Sequence, residues 1–113
     1  MMRAIFFTAA VFSACAGLAQ TKAGDSSLGE YLANECVTCH QRSGRAAGAI
    51  PPIVAMPLDQ FIALMNSYKS KDRENEVMRV LAGRLSDDEI AALAAYFGGL
   101  AKPDQTAQPR KTR

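Results

Sequence analysis

The apolar positions of the chain fall into four short patterns of helical period, separated by polar and glycine-rich breaks. Leu28, Tyr31, Leu32 and Cys36 recur at helical spacing behind Ser26, whose hydroxyl is suited to cap such a helix. Residues 41–52 are rich in Gly, Arg and Pro and carry no period, which is the signature of a loop. A second helix is predicted from about Leu58 to Tyr68, with Leu58, Phe61, Ile62 and Met65 on one face and Pro57 near its start. The charged run SKDREN reads as a solvated turn. A third helix is predicted from about Asn75 to Arg84, carrying Val77, Val80 and Leu81 and ending near Gly83. The fourth has the strongest start signal, Ser86-Asp87-Asp88-Glu89, in which Ser86 accepts from the Glu89 amide while Glu89 reaches back. It continues through Ile90, Leu93, Ala94 and Phe97 and stops at Gly98-Gly99. No alternating strand pattern and no internal repeat interrupts this order, so the predicted class is all-α. Tyr31, Leu32, Leu93 and Phe97 are expected to form the crossing of the first and last helices.

The two ends of the chain read differently from the middle. Met1-Met2-Arg3 followed by AIFFTAAVFSACAGLA is a basic start, an apolar stretch and a small-residue exit, the pattern of an export signal. Cleavage after Ala19 is expected. The apolar stretch is short and Ala-rich for a bilayer span, and nothing later approaches one, so no transmembrane segment is predicted. Residues 1–19 are therefore assigned to a signal peptide, 20–101 to one folded domain, and the polar, Pro-containing 102–113 to a disordered tail. Phe12-Ser13-Ala14-Cys15 also has the small-small-Cys form of a lipoprotein processing site, which would give a lipid anchor through Cys15. The commoner outcome is that Cys15 leaves with the signal peptide.

Charge removes one class of partner. Thirteen Lys and Arg stand against 11 Asp and Glu, a near-neutral balance that indicates no nucleic-acid partner. An exported domain of about 95 residues buries limited apolar surface and often needs a disulfide, a metal or a cofactor to supplement its core.

The place to look for that supplement is NECVTCHQ, residues 34–41, which packs Cys36, Cys39 and His40 into five positions. A thioredoxin-like dithiol would follow a strand and open a helix, whereas this cluster closes a helix in a chain without strands. A structural zinc site needs four ligands, and His40 is the chain's one histidine. A Cys36–Cys39 disulfide would close a very small loop and leave His40 without a role. A c-type haem uses all three residues: the two thiols add to the vinyl groups on one porphyrin edge, and the adjacent imidazole is the proximal iron ligand. Export agrees, since this attachment is made outside the cytoplasm in bacteria. The motif therefore predicts one covalent haem c, held by Cys36 and Cys39 with His40 on the iron.

With the motif and the helices in order, residues from about Ser26 to Leu100 resemble a small class I cytochrome c. PPIVAMPLDQFIALMNSYKS and VMRVLAGRLSDDEIAALAAYF are similar, more narrowly, to the cytochrome subunits of flavocytochrome c sulfide dehydrogenases and to the related periplasmic c553 and c4 cytochromes. The resemblance implies a cytochrome c fold, about four helices packed around one covalently attached haem. It implies that a proline carbonyl after the motif accepts from the second ring nitrogen of His40, and Pro52 matches that position. A sixth ligand, with no second histidine in the chain, would be a methionine. Met56 lies close to His40 along the chain, Met65 falls on the apolar face of the second helix, and Met78 sits where the relatives place their ligand. Met78 is the assignment the resemblance favours, with Met65 or an open site as the alternatives. Relatives commonly carry a polar cap where this chain has Pro57-Leu58, and a Trp that this chain lacks. Arg42, Arg45, Tyr68 and Arg79 are the candidate partners for the haem carboxylates.

The function these residues imply is single-electron transfer in the periplasm, by a non-catalytic carrier or by the electron-accepting subunit of a flavoprotein sulfide dehydrogenase. The alternatives are a freely diffusing carrier for another periplasmic oxidoreductase and a catalytic or sensing haem protein with an open sixth position. Docking is expected through the apolar rim from Arg45 to Ile53 rather than through the charged turn at 70–73.

Overall fold

The structure, a computed structural model, describes residues 24–102. The signal segment 1–19, Cys15 and all but the first residue of the expected tail lie outside the described residues. Four helices make up the fold: α1 (Ser26–Cys36), α2 (Leu58–Lys69), α3 (Glu76–Arg84) and α4 (Asp87–Gly99). Among the described residues the only β pairing is an isolated bridge between Ala47 and Ile50, so the all-α expectation holds.

Local chemistry sets where each helix starts. The cap of α1 is Asp25 rather than the expected Ser26: its Oδ1 accepts from the Ser27 amide at 2.9 Å and the Leu28 amide at 3.4 Å. A carboxylate serves two amides there and also suits the positive end of the helix dipole. Helix α2 starts behind Pro57 with no side-chain cap, as the absence of a polar residue foretells. Asn75 precedes α3 instead of opening it, and its Oδ1 accepts from the Met78 amide at 3.1 Å. The capping box of α4 is complete, with Glu89 N to Ser86 Oγ at 3.2 Å and Ser86 N to Glu89 Oε2 at 2.7 Å.

Helices α1 and α4 cross in close contact, and the residues at the crossing are small. Gly29 and Ala33 of α1 are both buried, and a Cβ at Gly29 would overlap the carbonyl of Ala92, itself buried on α4. Tyr31, expected at this crossing, is instead 75% exposed. At about 100° per residue it lies roughly 200° around α1 from Gly29, on the far side. Leu93 and Phe97 are buried as expected, and Leu32 packs against the same cluster. Phe97 stacks on Phe61 of α2 at 6.0 Å between ring centroids and meets Tyr96 edge-on at 5.2 Å. Helix α2 thereby joins the α1–α4 pair through aromatic packing.

Helix α3 is held differently. Ala82 is its one buried residue, while Val77 and Val80, expected on its apolar face, are 63% and 45% exposed. Its far end is tied by Lys69, whose Nζ donates to the Leu85 carbonyl at 2.7 Å and contacts Asp87 Oδ1 at 3.3 Å.

Candidate functional site

Cys36 is the last residue of α1, and the chain then folds back beneath the helix end. The amides of Cys39 and His40 both donate to the Cys36 carbonyl, at 3.1 and 2.8 Å. A helix end leaves its carbonyls without intrahelical partners, and this turn satisfies one of them while gathering Cys36, Cys39 and His40 along one wall. Cys36 and Cys39 are not joined in a disulfide. Burial pushes the Cys36 thiol above its ordinary value and the Glu35 carboxylate adds to the rise, the reverse of what an activated dithiol requires. Among the described residues no three His, Cys, Asp or Glu side chains converge as a metal site would require.

His40 Nδ1 lies 2.8 Å from a proline carbonyl, and a carbonyl only accepts. Nδ1 therefore carries a proton, and in the neutral ring that leaves the lone pair on Nε2. The carbonyl belongs to Pro51, one residue before the Pro52 that the sequence favoured. Successive carbonyls of an extended Pro-Pro pair point to different sides, so one of the two faces the imidazole. Pro51 is placed from both directions. Ala47 and Ile50 exchange backbone hydrogen bonds of 3.3 and 3.0 Å around Gly48, which takes the positive φ of 59° that the tight turn requires. Beyond it, the Ala55 amide donates to the Phe97 carbonyl at 2.8 Å and ties the loop to α4.

These elements enclose a cavity of about 480 Å³. Cys36, Cys39, His40 and Pro51 line it, together with apolar side chains that include Leu32, Ile53, Phe61, Leu64, Leu81 and Leu93. A largely apolar pocket of this size with a few polar groups suits a flat organic group better than a bare ion. Met56, Met65 and Met78 all reach it. Met78 shares the cavity with His40, as do Met56 and Met65.

The polar wall differs from expectation. Tyr68 lines the cavity, and its hydroxyl accepts from Arg73 Nε at 2.9 Å. The Arg73 guanidinium also sits 5.4 Å from the Tyr68 ring centroid. Arg73, Asn75 and Arg84 belong to the lining and were not anticipated. Arg42, Arg45 and Arg79 do not belong to it: Arg42 reaches Asn34 Oδ1 at 3.3 Å, and the Arg79 side chain donates to the Lys71 and Arg73 carbonyls. The signal for Arg84 was present, because Val77, Leu81 and Arg84 repeat at helical spacing on one face of α3. Arg73 comes from the turn read as solvated, and no local pattern marks it.

No family model matches the chain. It is 32% identical over 74 residues to a protein named thiosulfate dehydrogenase electron acceptor from Stutzerimonas stutzeri, a match covering 62% of this chain and 34% of that protein. It is likewise 32% identical over 76 residues to the cytochrome subunit of sulfide dehydrogenase from Chlorobaculum tepidum, covering 67% and 69% of the two chains. A solved structure of the thiosulfate dehydrogenase TsdBA from Marichromatium purpuratum, in its as-isolated form, superposes with a TM-score of 0.64 at 31% identity. That superposition covers 76% of this chain and 23% of the other. The chain thus spans about a third of the first relative and a quarter of the solved structure, and rather more than two thirds of the second relative.

Proposed function

The chain belongs to the class I c-type cytochromes, and we propose that it is a periplasmic carrier of single electrons with one haem c bound through Cys36 and Cys39. The observation that carries this reading is the His40 imidazole, pinned by the Pro51 carbonyl beside two unbridged cysteines at the wall of an apolar cavity. Cys36 and Cys39 would hold the porphyrin edge, and His40 Nε2 would ligate the iron. Met78, on α3, is the proposed second axial ligand. The haem would supply a one-electron iron couple, and with both axial positions filled the iron has no open coordination site for substrate. Tyr68 and Arg73 would face its carboxylates, with Arg84 as a further cation in the lining.

The proposed donor is a flavoprotein dehydrogenase that oxidises sulfide, in keeping with the name of the relative from Chlorobaculum tepidum. The periplasm fits the leader-like start of the sequence. No helix among the described residues is long and apolar enough to cross a membrane.

The test is the absorption spectrum of the reduced, exported protein with and without carbon monoxide. A His–Met haem gives a spectrum that hardly responds to the gas. A strong response would assign an open sixth position and a catalytic or sensing role instead. Reduction by sulfide dehydrogenase flavoprotein, compared with reduction by a thiosulfate-oxidising enzyme, tests the donor: faster transfer from the second would move the assignment there.

A further inference from the structure

The segment between α2 and α3 contains two residues other than glycine at positive φ, Lys71 at 66° and Asn75 at 144°. Backbone of this kind is unfavourable for a residue with a Cβ and persists where surrounding bonds over-determine it. Much of that restraint comes from one side chain. Arg79 Nη2 donates to the Lys71 carbonyl at 2.8 Å and to Glu74 Oε1 at 3.1 Å, while Nε donates to the Arg73 carbonyl at 2.9 Å. Its side chain is only 21% exposed, against 92% for Glu74, so the carbonyl bonds are the sheltered part of the contact. A planar guanidinium can bridge two carbonyls in fixed geometry, and an ammonium on a flexible stem cannot.

What this clamp controls is the seat of α3. Asn75 caps α3 through the Met78 amide at 3.1 Å, and Ala82 is the helix's sole buried residue. One face of α3 lines the cavity through Val77, Met78 and Leu81, so where the helix starts decides what Met78 can reach, and the clamp sits at that end. Arg73 and Asn75 line the cavity on the same segment, while Arg79 itself does not. We infer that Arg79 is a positioning residue: its two carbonyl bonds hold the strained 71–75 backbone so that Asn75 starts α3 where Met78 reaches the cavity. The inference rests on the reading of Met78 as an axial ligand. It also replaces the carboxylate-binding role that the sequence suggested for Arg79, because Nε and Nη2 are committed to the loop.

The experiment uses the exported, haem-loaded protein. It follows the sulfur-to-iron charge-transfer band of the oxidised form and carbon monoxide binding by the reduced form, with covalent haem content and helicity as checks on folding. Arg79→Gln should lose the band and gain carbon monoxide binding, and the Met78 amide should exchange roughly tenfold faster. Arg79→Lys keeps the charge and should show the same loss. Glu74→Gln removes only the exposed ion pair and should leave the band intact. The decisive variant is Arg79→Gln with Lys71→Gly, which relieves one strained residue and should recover part of the band.

Retention of the band in Arg79→Gln or Arg79→Lys would overturn the inference, as would loss with no recovery in the double variant. Should Arg79→Gln not accumulate as folded protein, Arg79→Lys and the double variant decide by the same criteria. Met78→Ala separates the two levels. If it keeps the band, the ligand assignment fails and takes this inference with it; if it loses the band while Arg79→Gln keeps it, only the role of Arg79 fails.

Discussion

Three methionines line one cavity, and their surroundings rank them. Met65 is 7% exposed within the core cluster that includes Phe61 and Phe97, whereas Met78 is half-buried on the loosely packed α3. Met65→Ala is expected to cost about 2–5 kcal/mol in denaturant unfolding, as for other buried large-to-small changes, while leaving the charge-transfer band in place. Loss of the band in Met65→Ala would move the ligand to α2. Ala55 offers a second test at this scale, since it holds φ at 55° while its amide ties the loop to Phe97. Relief of the left-handed strain, of order 1–2 kcal/mol, exceeds the roughly 0.5–1 kcal/mol entropic cost of glycine. Ala55→Gly should therefore raise stability by about 0.5 kcal/mol, read from the denaturation midpoint. At this scale the motif residues were legible because their chemistry is local: two thiols and an imidazole at fixed spacing. The partner of His40 was misplaced by one residue because the orientation of a carbonyl depends on backbone torsions that residue identity does not disclose.

Among the elements, α1 shows how a readable helix can still be turned wrongly. Its extent follows from spacing and its end from the motif, but the face read as buried included Leu28 and Tyr31, and these are 38% and 75% exposed. The true contact runs through Gly29 and Ala33, residues that hydropathy weighs lightly, because backbone proximity at the α4 crossing matters more there than side-chain area. Gly29→Val should accordingly destabilise the protein by about 3 kcal/mol or more, since its branches would meet the Ala92 backbone and Tyr96. Tyr31→Ala should stay within about 0.5 kcal/mol. Equal effects of the two changes in thermal unfolding would refute the small-residue crossing. In α4 the prediction held because a capping box is a purely local device, complete within four residues. In α3 the apolar face read from Val77 and Leu81 is the one that lines the cavity, while Val80 points away from it and is 45% exposed.

At the scale of the whole molecule, the loop from Ala46 to Pro52 separates the cavity from solvent. Ala49, Ile50 and Pro51 line the cavity, and Ala49 and Pro51 are exposed. On the proposed function, that is where a partner's cofactor would come nearest to a group held by Cys36 and Cys39. The rim is small and apolar, and the chain carries a formal net charge of only +2, so contact rather than long-range steering should govern association. The charged turn is also less available than its sequence suggested: Arg73 belongs to the cavity wall and Lys69 is occupied by Leu85 and Asp87. Ile50→Lys is thus expected to slow reduction by the donor more than Lys71→Gln does, with only a modest response to added salt. A steep fall in rate with ionic strength would instead place docking on the basic residues.

The functional expectations depend on a covalent haem between α1 and α3, and the intact mass of the exported protein under denaturing conditions tests that most directly. The account predicts a single species heavier than the processed chain by one haem, with neither Cys36 nor Cys39 open to alkylation. An unmodified mass from a strain that matures other c-type cytochromes, with both thiols alkylated, would contradict it.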